Sequence, residues 1–238
     1  FGVWDTFELV RPWDSAQGSD WSKPYIKIDS INNSAPVVPA GALFGTSVAN
    51  IGDLDGNGID DLIVGAPGET SLADVTLVPQ TGAVYILFME SLGRNQLTVK
   101  SYQRISSNEG NGPGLMENAA FGYSVANIGD IDGDGVVDAA VGAPGARLGS
   151  CYILFLNNNG TVRQSNIIGA GFQEEAYLFN SSNVSTGNPP LGYFSRFGSM
   201  VTPLGDFNFD GIPDFAVGAA DSSGGSSKVY LCFMDRSG

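Results

Sequence analysis

The sequence FGTSVANIGDLDGNGIDDLIVGAP occupies residues 44–67, and two close copies of it follow in the same chain. The copies are FGYSVANIGDIDGDGVVDAAVGAP at residues 121–144 and FGSMVTPLGDFNFDGIPDFAVGAA at residues 197–220. The copies start at 44, 121 and 197, so the repeat period is 77 and then 76 residues. Self-similarity at a fixed period indicates a repeat architecture, so we expect three copies of one structural unit.

Each unit is predicted to consist of β-strands. Short runs of Val, Ile, Phe and Tyr alternate with Gly, Asn, Asp, Ser and Pro, and no segment keeps a helical period over three turns. Strands are predicted after the copies at 83–89, 151–156 and 229–234, and before them at 25–28, 102–105 and 176–179. About four antiparallel strands per repeat make one blade of a β-propeller. We therefore predict an all-β chain of three propeller-type blades.

Three blades make an incomplete propeller, because known propellers close with about four to eight blades. We expect more chain or self-association to complete it, since open blade edges tend to pair with other strands. Phe1 is not an initiator methionine, which indicates a processed chain or a piece of a longer parent chain. We divide the chain into an N-terminal segment (1–23) that completes a blade or covers an edge, and blades at 24–100, 101–175 and 176–238.

The composition excludes several classes of function. The chain has 238 residues, 42% of them hydrophobic, with 11 Lys+Arg against 25 Asp+Glu and a formal net charge of −14. This balance argues against nucleic-acid binding, which needs a basic surface. The apolar runs are too short for direct membrane insertion. The absence of histidine excludes a Ser-His-Asp triad and any imidazole metal site.

Each repeat contains the acidic pattern Asp-x-Asp/Asn-x-Asp/Asn-Gly-x-x-Asp. Oxygen side chains at positions 1, 3 and 5 of a tight loop can surround one hard cation, and glycine at position 6 permits the sharp turn. The acid at position 9 completes the ligand set, and such all-oxygen, carboxylate-rich sets favour Ca²⁺ over Mg²⁺. The predicted side-chain ligands are Asp53, Asp55, Asn57 and Asp61; Asp130, Asp132, Asp134 and Asp138; and Asp206, Asn208, Asp210 and Asp214.

The loop differs from an EF-hand, which needs a bidentate Glu at position 12 and flanking helices. Position 12 is valine in all three copies (Val64, Val141 and Val217), inside a predicted strand. We therefore expect a calcium loop between two strands. The alternative is a solvated acidic turn, because Asp-Gly turns are common in β-hairpins.

The order of Phe-Gly, acidic loop and Gly-Ala-Pro resembles the FG-GAP repeat, the blade unit of the integrin α-subunit β-propeller. The resemblance extends from about residue 24 to 238 and implies four-stranded blades, about three Ca²⁺ ions (one per repeat), and an extracellular or cell-surface adhesion role. By position it also implies backbone-carbonyl ligands at Ile59, Val136 and Ile212. The chain departs from the family in having three repeats instead of seven, with Ala220 and Pro213 altering the third copy.

Modification sites and cysteines give weaker signals. N-glycosylation sequons occur at Asn32, Asn159, Asn180 and Asn183, and the last two fall in a polar loop. Relative to the tyrosine at the equivalent place in their two strands, Cys151 lies one residue before it and Cys232 lies two residues after it. Because these positions differ by an odd number of residues, we expect the two cysteines on opposite faces of their sheets. We therefore expect two free thiols rather than a disulfide.

The function predicted from these features is a calcium-binding extracellular interaction or adhesion module that binds protein or glycan partners through exposed loops. We do not expect an enzyme, because the acids outside the loops have no spacing that distinguishes them from surface groups. Those acids are Asp74, Glu109, Glu117, Glu174 and Glu175. Two alternatives stay open: a structural subunit of an extracellular glycoprotein assembly or filament, and an accessory FG-GAP domain of a secreted hydrolase or lyase.

Overall fold

The computed structural model describes residues 7–10, 25–28, 36–70, 80–93, 96–107, 109–145, 149–169, 195–220 and 227–235. Within these ranges the chain forms thirteen β-strands and no helix. The all-β prediction is therefore confirmed. The strands form three blade-like antiparallel sheets and one two-stranded sheet, in agreement with the predicted incomplete propeller.

Blades 1 and 2 are four-stranded meanders, in which each strand pairs with the next one along the chain. Blade 1 consists of β3 (Val48–Gly52), β4 (Asp61–Ala66), β5 (Ala83–Gly93) and β6 (Gln96–Ile105). Blade 2 consists of β7 (Ser124–Gly129), β8 (Asp138–Ala143), β9 (Ser150–Leu156) and β10 (Val162–Gly169). The acidic loops are the β3–β4 and β7–β8 connections, so each joins the first two strands of its blade.

Blade 3 has three strands among the described residues: β11 (Phe197–Gly205), β12 (Asp214–Ala219) and β13 (Lys228–Cys232). The third acidic loop is its β11–β12 connection. A separate pair, β1 (Phe7–Val10) with β2 (Tyr25–Ile28), forms the two-stranded sheet near the N-terminus. Ile28 is buried in the same apolar cluster as Tyr85 and Leu87 of β5, so β2 packs on blade 1 through this residue.

Several predicted boundaries shift in the structure. The strand predicted at 229–234 ends at Cys232, and the segment predicted at 176–179 lies outside the described residues. The domain limits at residues 23, 100 and 175 stay predictions, and β6 crosses the limit at 100 while pairing with β5 along its length.

The inner strand β9 of the middle blade is buried on both faces. All seven residues of β9 are buried, because alternate side chains enter two different apolar clusters. Leu154 packs in the cluster with blade 1, and Ile153 packs in the cluster with blade 3. A strand covered on both faces is apolar throughout rather than alternating, which explains the continuous sequence CYILFL.

The Phe-Gly elements pack between blades. Phe121 is fully buried between blades 1 and 2, with its ring edge-on to Tyr152 at 5.4 Å between centroids. The carbonyl of the next residue, Gly122, accepts a hydrogen bond from Ser47 Oγ of blade 1 (2.8 Å). Phe197 pairs with Tyr230 at the same 5.4 Å, so the third copy repeats the arrangement.

Both cysteines are free, as predicted, and lie in one apolar cluster between blades 2 and 3. Burial raises the pKa of Cys232 to about 12, and burial also raises the pKa of Cys151 well above its ordinary value. The two residues occupy opposite faces of their own sheets. Because blades stack face to face, cysteines on opposite faces of two adjacent blades both point into the interface between blades 2 and 3.

Candidate metal-binding loops

The aspartate at position 1 of each loop fixes the loop backbone by accepting hydrogen bonds from two of its amides. In blade 1, Asp53 Oδ1 accepts a hydrogen bond from the Asn57 amide (2.9 Å), and Asp53 Oδ2 accepts one from the Gly58 amide (2.7 Å). Asp130 and Asp206 accept the equivalent pairs of bonds in blades 2 and 3, at 2.9–3.1 Å. The three loops therefore share one backbone fold, which their own aspartates specify.

Glycine at position 6 is required by the backbone conformation. Gly58, Gly135 and Gly211 have φ values of 86°, 88° and 86°, in the left-handed region that favours glycine. Position 4 has a similar conformation and is glycine in the first two loops, but it is Phe209 in the third, at φ 63° and 90% exposed. The third loop therefore keeps the shared shape at the cost of a strained residue.

Position 9 of each loop is a fully buried aspartate that joins the loop to the third strand of its blade or, in blade 3, to Met234 just after that strand. Asp61 Oδ2 accepts a hydrogen bond from the Leu54 amide in the loop (2.9 Å), and Asp61 Oδ1 accepts one from Met89 in β5 (2.8 Å). Asp138 and Asp214 repeat this bridge in the other blades. These carboxylates thus have a structural role in addition to the predicted ligand role.

The acidic oxygens converge in two of the loops. Ligand atoms of Asp53, Asp55 and Asp61 lie within 4.8 Å of one another, and so do those of Asp130, Asp132 and Asp138. The third loop has the amide Asn208 at position 3, and its acids form no such group among the described residues. At position 5, Asn57, Asp134 and Asp210 each accept a hydrogen bond from the amide of position 7 (Ile59, Val136 and Ile212) at 2.8–2.9 Å.

The electrostatics of loop 2 fit a bound cation. Burial raises the pKa of Asp138 to about 7, and the charges of Asp132 and Asp134 contribute to the rise. Burial likewise raises the pKa of Asp61 in loop 1. Both loops offer only oxygen ligands, several of them carboxylates, which is the donor set that Ca²⁺ prefers. A divalent cation among these carboxylates would favour their ionised forms.

Basic side chains from the outer strands reach two of the loops, and the sequence patterns did not reveal them. Lys100 Nζ lies 2.6 Å from Asp55 Oδ2, and this hydrogen bond lowers the pKa of Asp55. In blade 2, Arg163 donates to Asp132 and lies 3.1 Å from Asp134 Oδ2. The partners are 45 and 31 residues apart in the chain, so no local motif connects them.

A second polar cluster lies at the opposite end of blade 1 and was also missed. Glu69 is buried and accepts hydrogen bonds from Tyr85 Oη (2.6 Å) and Arg104 Nε (2.6 Å). Arg104 also donates to Ser106 and to Glu109, which sequence analysis treated as an unexceptional surface acid. Arg104 thus pairs with two carboxylates, and we interpret the cluster as a tie between the segment after β4 and the end of β6.

Of the four sequons, only Asn159 lies in the described part of the chain. Its side chain is exposed, and its Oδ1 accepts hydrogen bonds from the amide (3.1 Å) and hydroxyl (2.7 Å) of Thr161. Asn32, Asn180 and Asn183 lie outside the described residues. As to membrane spans, the described residues contain no helix with the length and apolar character needed to cross a bilayer.

Comparison with known proteins agrees with this geometry. The family model described as FG-GAP repeat matches residues 44–87, 121–163 and 197–232, together more than half of the chain. These matches contain all three acidic loops.

The curated relatives include integrin alpha-3 from Cricetulus griseus, which is 35% identical over 75% of this chain. Integrin alpha-8 from Gallus gallus is 39% identical over 42% of the chain, and integrin alpha-PS2 from Drosophila melanogaster is 30% identical over 76%. The matches cover 14%, 8% and 12% of these relatives, so the chain spans a small part of their length. With three matched repeats folded as stacked antiparallel blades, the chain belongs to the FG-GAP repeat family.

Proposed function

We propose that this chain is a calcium-binding interaction module of the adhesion type, at the cell surface or in the extracellular space. The observation that carries the proposal is the convergence of three acids in each of loops 1 and 2, on a backbone shape that loop 3 repeats. Carboxylates this close repel one another, and a bound divalent cation offsets that repulsion. Resemblance to integrin alpha chains supports the adhesion role.

The proposed ligand sets are those predicted from the sequence, with one ion per repeat and about three in total. In loop 1 they are Asp53, Asp55, Asn57, Asp61 and the carbonyl of Ile59. In loop 2 they are Asp130, Asp132, Asp134, Asp138 and the carbonyl of Val136. In loop 3 they are Asp206, Asn208, Asp210, Asp214 and the carbonyl of Ile212. Loop 3 has one carboxylate fewer than loop 2 and is proposed to be the weaker site.

The ions are proposed to stabilise the blades so that exposed loops can bind a protein or glycan partner. Each acidic loop connects two adjacent strands of its blade, so neutralising the loop stabilises that hairpin. We propose the extracellular setting because loops that lack an acidic ligand at position 12 are expected to bind weakly, and calcium sites of extracellular modules bind at about 10⁻⁴–10⁻³ M. We also propose the four sequons as candidate glycosylation sites, and no catalytic role, because the acids that converge in groups of three within the described residues are the loop acids.

Calcium titration and chelation test the metal proposal. We expect isothermal titration calorimetry of the metal-free chain to show saturable Ca²⁺ binding with about three sites, and weaker binding of Mg²⁺. Three bound ions would change the formal charge from −14 to −8, so excess chelator should lower the melting temperature by several degrees, on the order of 2–4 °C per kcal/mol lost. A chain that binds no Ca²⁺ and melts at the same temperature with and without chelator contradicts the proposal.

A second candidate function is self-assembly as a structural subunit, which the outer face of blade 3 supports. Val229 pairs with Gly218 in β12, as Cys151 pairs with Gly142 in blade 2, so the two residues occupy equivalent places. Cys151 is buried against blade 3, whereas Val229 is 72% exposed.

The same contrast holds for the next residue on that face. Leu231 pairs with Ala216 and is half exposed, whereas its equivalent Ile153 pairs with Ala140 and is buried. Blade 3 thus presents toward solvent the apolar positions that blade 2 uses to pack on a neighbour. We propose that the occupant of this face is a blade from a second copy of the chain.

A further inference from the structure

The outer strand of blade 1 contains a β-bulge, and the extra residue of this bulge is basic. In the pairing of β5 with β6, Phe88 lies opposite Ser101 and the next residue, Met89, lies opposite Val99. Lys100 is therefore the extra residue, without a partner in the strand register. Bulges re-aim side chains, and here Lys100 reaches Asp55 at position 3 of the acidic loop, 45 residues away in sequence.

Blade 2 repeats this bulge at the equivalent place. In the pairing of β9 with β10, Phe155 lies opposite Gln164 and Leu156 lies opposite Val162, so Arg163 is the extra residue. Arg163 donates to Asp132, which is position 3 of the second loop. Two blades thus place a basic residue at the same bulge, directed at the same acid of the loop.

Blade 3 differs in both features. Position 3 of its loop is the neutral Asn208, whose Nδ2 donates to Asp210 Oδ2 within the loop (2.8 Å). Among the described residues, blade 3 has no outer strand paired with β13 and therefore no equivalent bulge. The acid at position 3 and the basic residue at the bulge occur together in blades 1 and 2, and neither is seen in blade 3.

An exposed ion pair is by itself a weak interaction. These two pairs differ from ordinary surface pairs because the acid belongs to a cluster of three carboxylates. Asp55 is mostly buried in the loop, with a side chain 16% exposed, and Lys100 is the cation placed beside it. A divalent ion among the same carboxylates would lie close to the ammonium group, and the two positive charges would repel.

We propose that Lys100 and Arg163 are built-in counter-cations that compete with Ca²⁺ for the acids of loops 1 and 2 and thereby set the calcium affinity of those loops. Without calcium, each basic residue offsets the repulsion among the loop acids and holds the position 3 aspartate. With calcium, the same charge opposes binding. This role rests on the proposed calcium function and adds a determinant of affinity that lies outside the loops themselves.

Charge removal at the bulge tests this role. Lys100→Met and Arg163→Met keep much of the side-chain length and remove the positive charge. We expect each variant to bind Ca²⁺ more tightly by about threefold or more at low salt, with a smaller gain at high salt because exposed charges are screened. We also expect each to melt at a lower temperature than the wild type when chelator is present.

Two controls separate charge from other effects. Lys100→Arg keeps the charge and should retain the wild-type affinity. Arg196→Met removes one positive charge near Tyr123, over whose ring the guanidinium lies, and should leave calcium affinity unchanged.

In a double-mutant cycle, Lys100→Met should have little effect on calcium affinity in an Asp55→Asn background, which copies the neutral position 3 of loop 3.

The outcomes distinguish this proposal from the function on which it rests. A wild-type chain that binds no Ca²⁺ contradicts the calcium function itself. A wild-type chain that binds Ca²⁺, together with Lys100→Met and Arg163→Met variants of equal or weaker affinity, overturns only the counter-cation role. Equal gains in Lys100→Met and Arg196→Met would also overturn it, because the effect would then follow net charge alone.

Discussion

At the scale of single residues, the aspartate at position 9 shows how one side chain can serve both the fold and the proposed metal site. The two oxygens of Asp138 accept hydrogen bonds from Ile131 in the loop (2.9 Å) and Leu156 in β9 (3.4 Å). The sequence pattern predicted this residue as a ligand, because its spacing matches a cation loop. Its bond to β9 could not be predicted, since the acid and the amide are 18 residues apart.

Replacement of Asp138 tests the structural part of this role. Asp138→Ala leaves two buried backbone amides without their acceptor, and each such loss costs about 1–3 kcal/mol. We therefore expect the free energy of unfolding in urea, measured with chelator present, to fall by about 2–4 kcal/mol. Glu117 is exposed, and Glu117→Ala should change it by no more than about 0.5 kcal/mol. Equal effects of the two changes would argue against the bridge.

At the scale of strands and blades, the glycine of the Gly-Ala-Pro element, the second-last residue of its strand, decides how closely two blades approach. A Cβ on Gly142 would lie 1.9 Å from the carbonyl oxygen of Gly198 in the next blade, and a Cβ on Gly65 would meet Gly122 at the same distance. Among the described residues the equivalent Gly218 faces no following blade, and the nearest neighbour of a Cβ on it would be Met200 Cβ at 3.3 Å. One motif therefore has two different environments within this chain.

This contrast predicts different tolerance of the same substitution. Gly142→Ala forces blades 2 and 3 apart and should lower the free energy of unfolding by several kcal/mol, in the range of about 1–3 or more found for overpacked cores. Gly218→Ala is the matched control and should cost less than about 1 kcal/mol, because only a small shift of Met200 is needed. Chemical denaturation of both variants measures the difference, and similar losses would contradict the stacking role of Gly142.

The strands themselves were predicted with uneven success. The apolar strands β4, β8 and β12 follow the acidic loops, where the repeated motif predicts them. The outer strand β10 (Val162–Gly169) was not predicted, because its Arg, Gln, Ser and Asn residues are typical of a loop. An outer strand needs few apolar residues, since its pairing with β9 supplies backbone hydrogen bonds and much of its surface stays in solvent.

At the scale of the whole molecule, the repeats form a row of blades with unequal ends. One end is the outer face of blade 3, with Val229, Leu231 and Phe233 exposed. At the other end, Ile28 of β2 packs on blade 1. The exposed face of blade 3 should therefore be the surface through which copies associate, if the chain assembles.

Sedimentation velocity tests this assembly. We expect the wild-type chain to form dimers or larger species whose fraction rises with protein concentration. Val229→Glu and Leu231→Glu place charges on the blade 3 face and should shift the distribution toward monomer. Leu92→Glu changes an equally exposed apolar residue at the end of β5 and should not do so. A wild-type chain that is monomeric at every concentration contradicts self-assembly.

The sequence by itself determined the repeat number, the β-class, the three acidic loops and the expected place of each ligand, because these depend on residue type and local spacing. Tertiary structure alone decided that Lys100 and Arg163 reach the loops, that Asp138 bridges to β9, and that the cysteines share an interface. The physical reason is that turn geometry is a short-range property of the backbone. Bulges, blade stacking and burial instead join residues that are far apart in the chain.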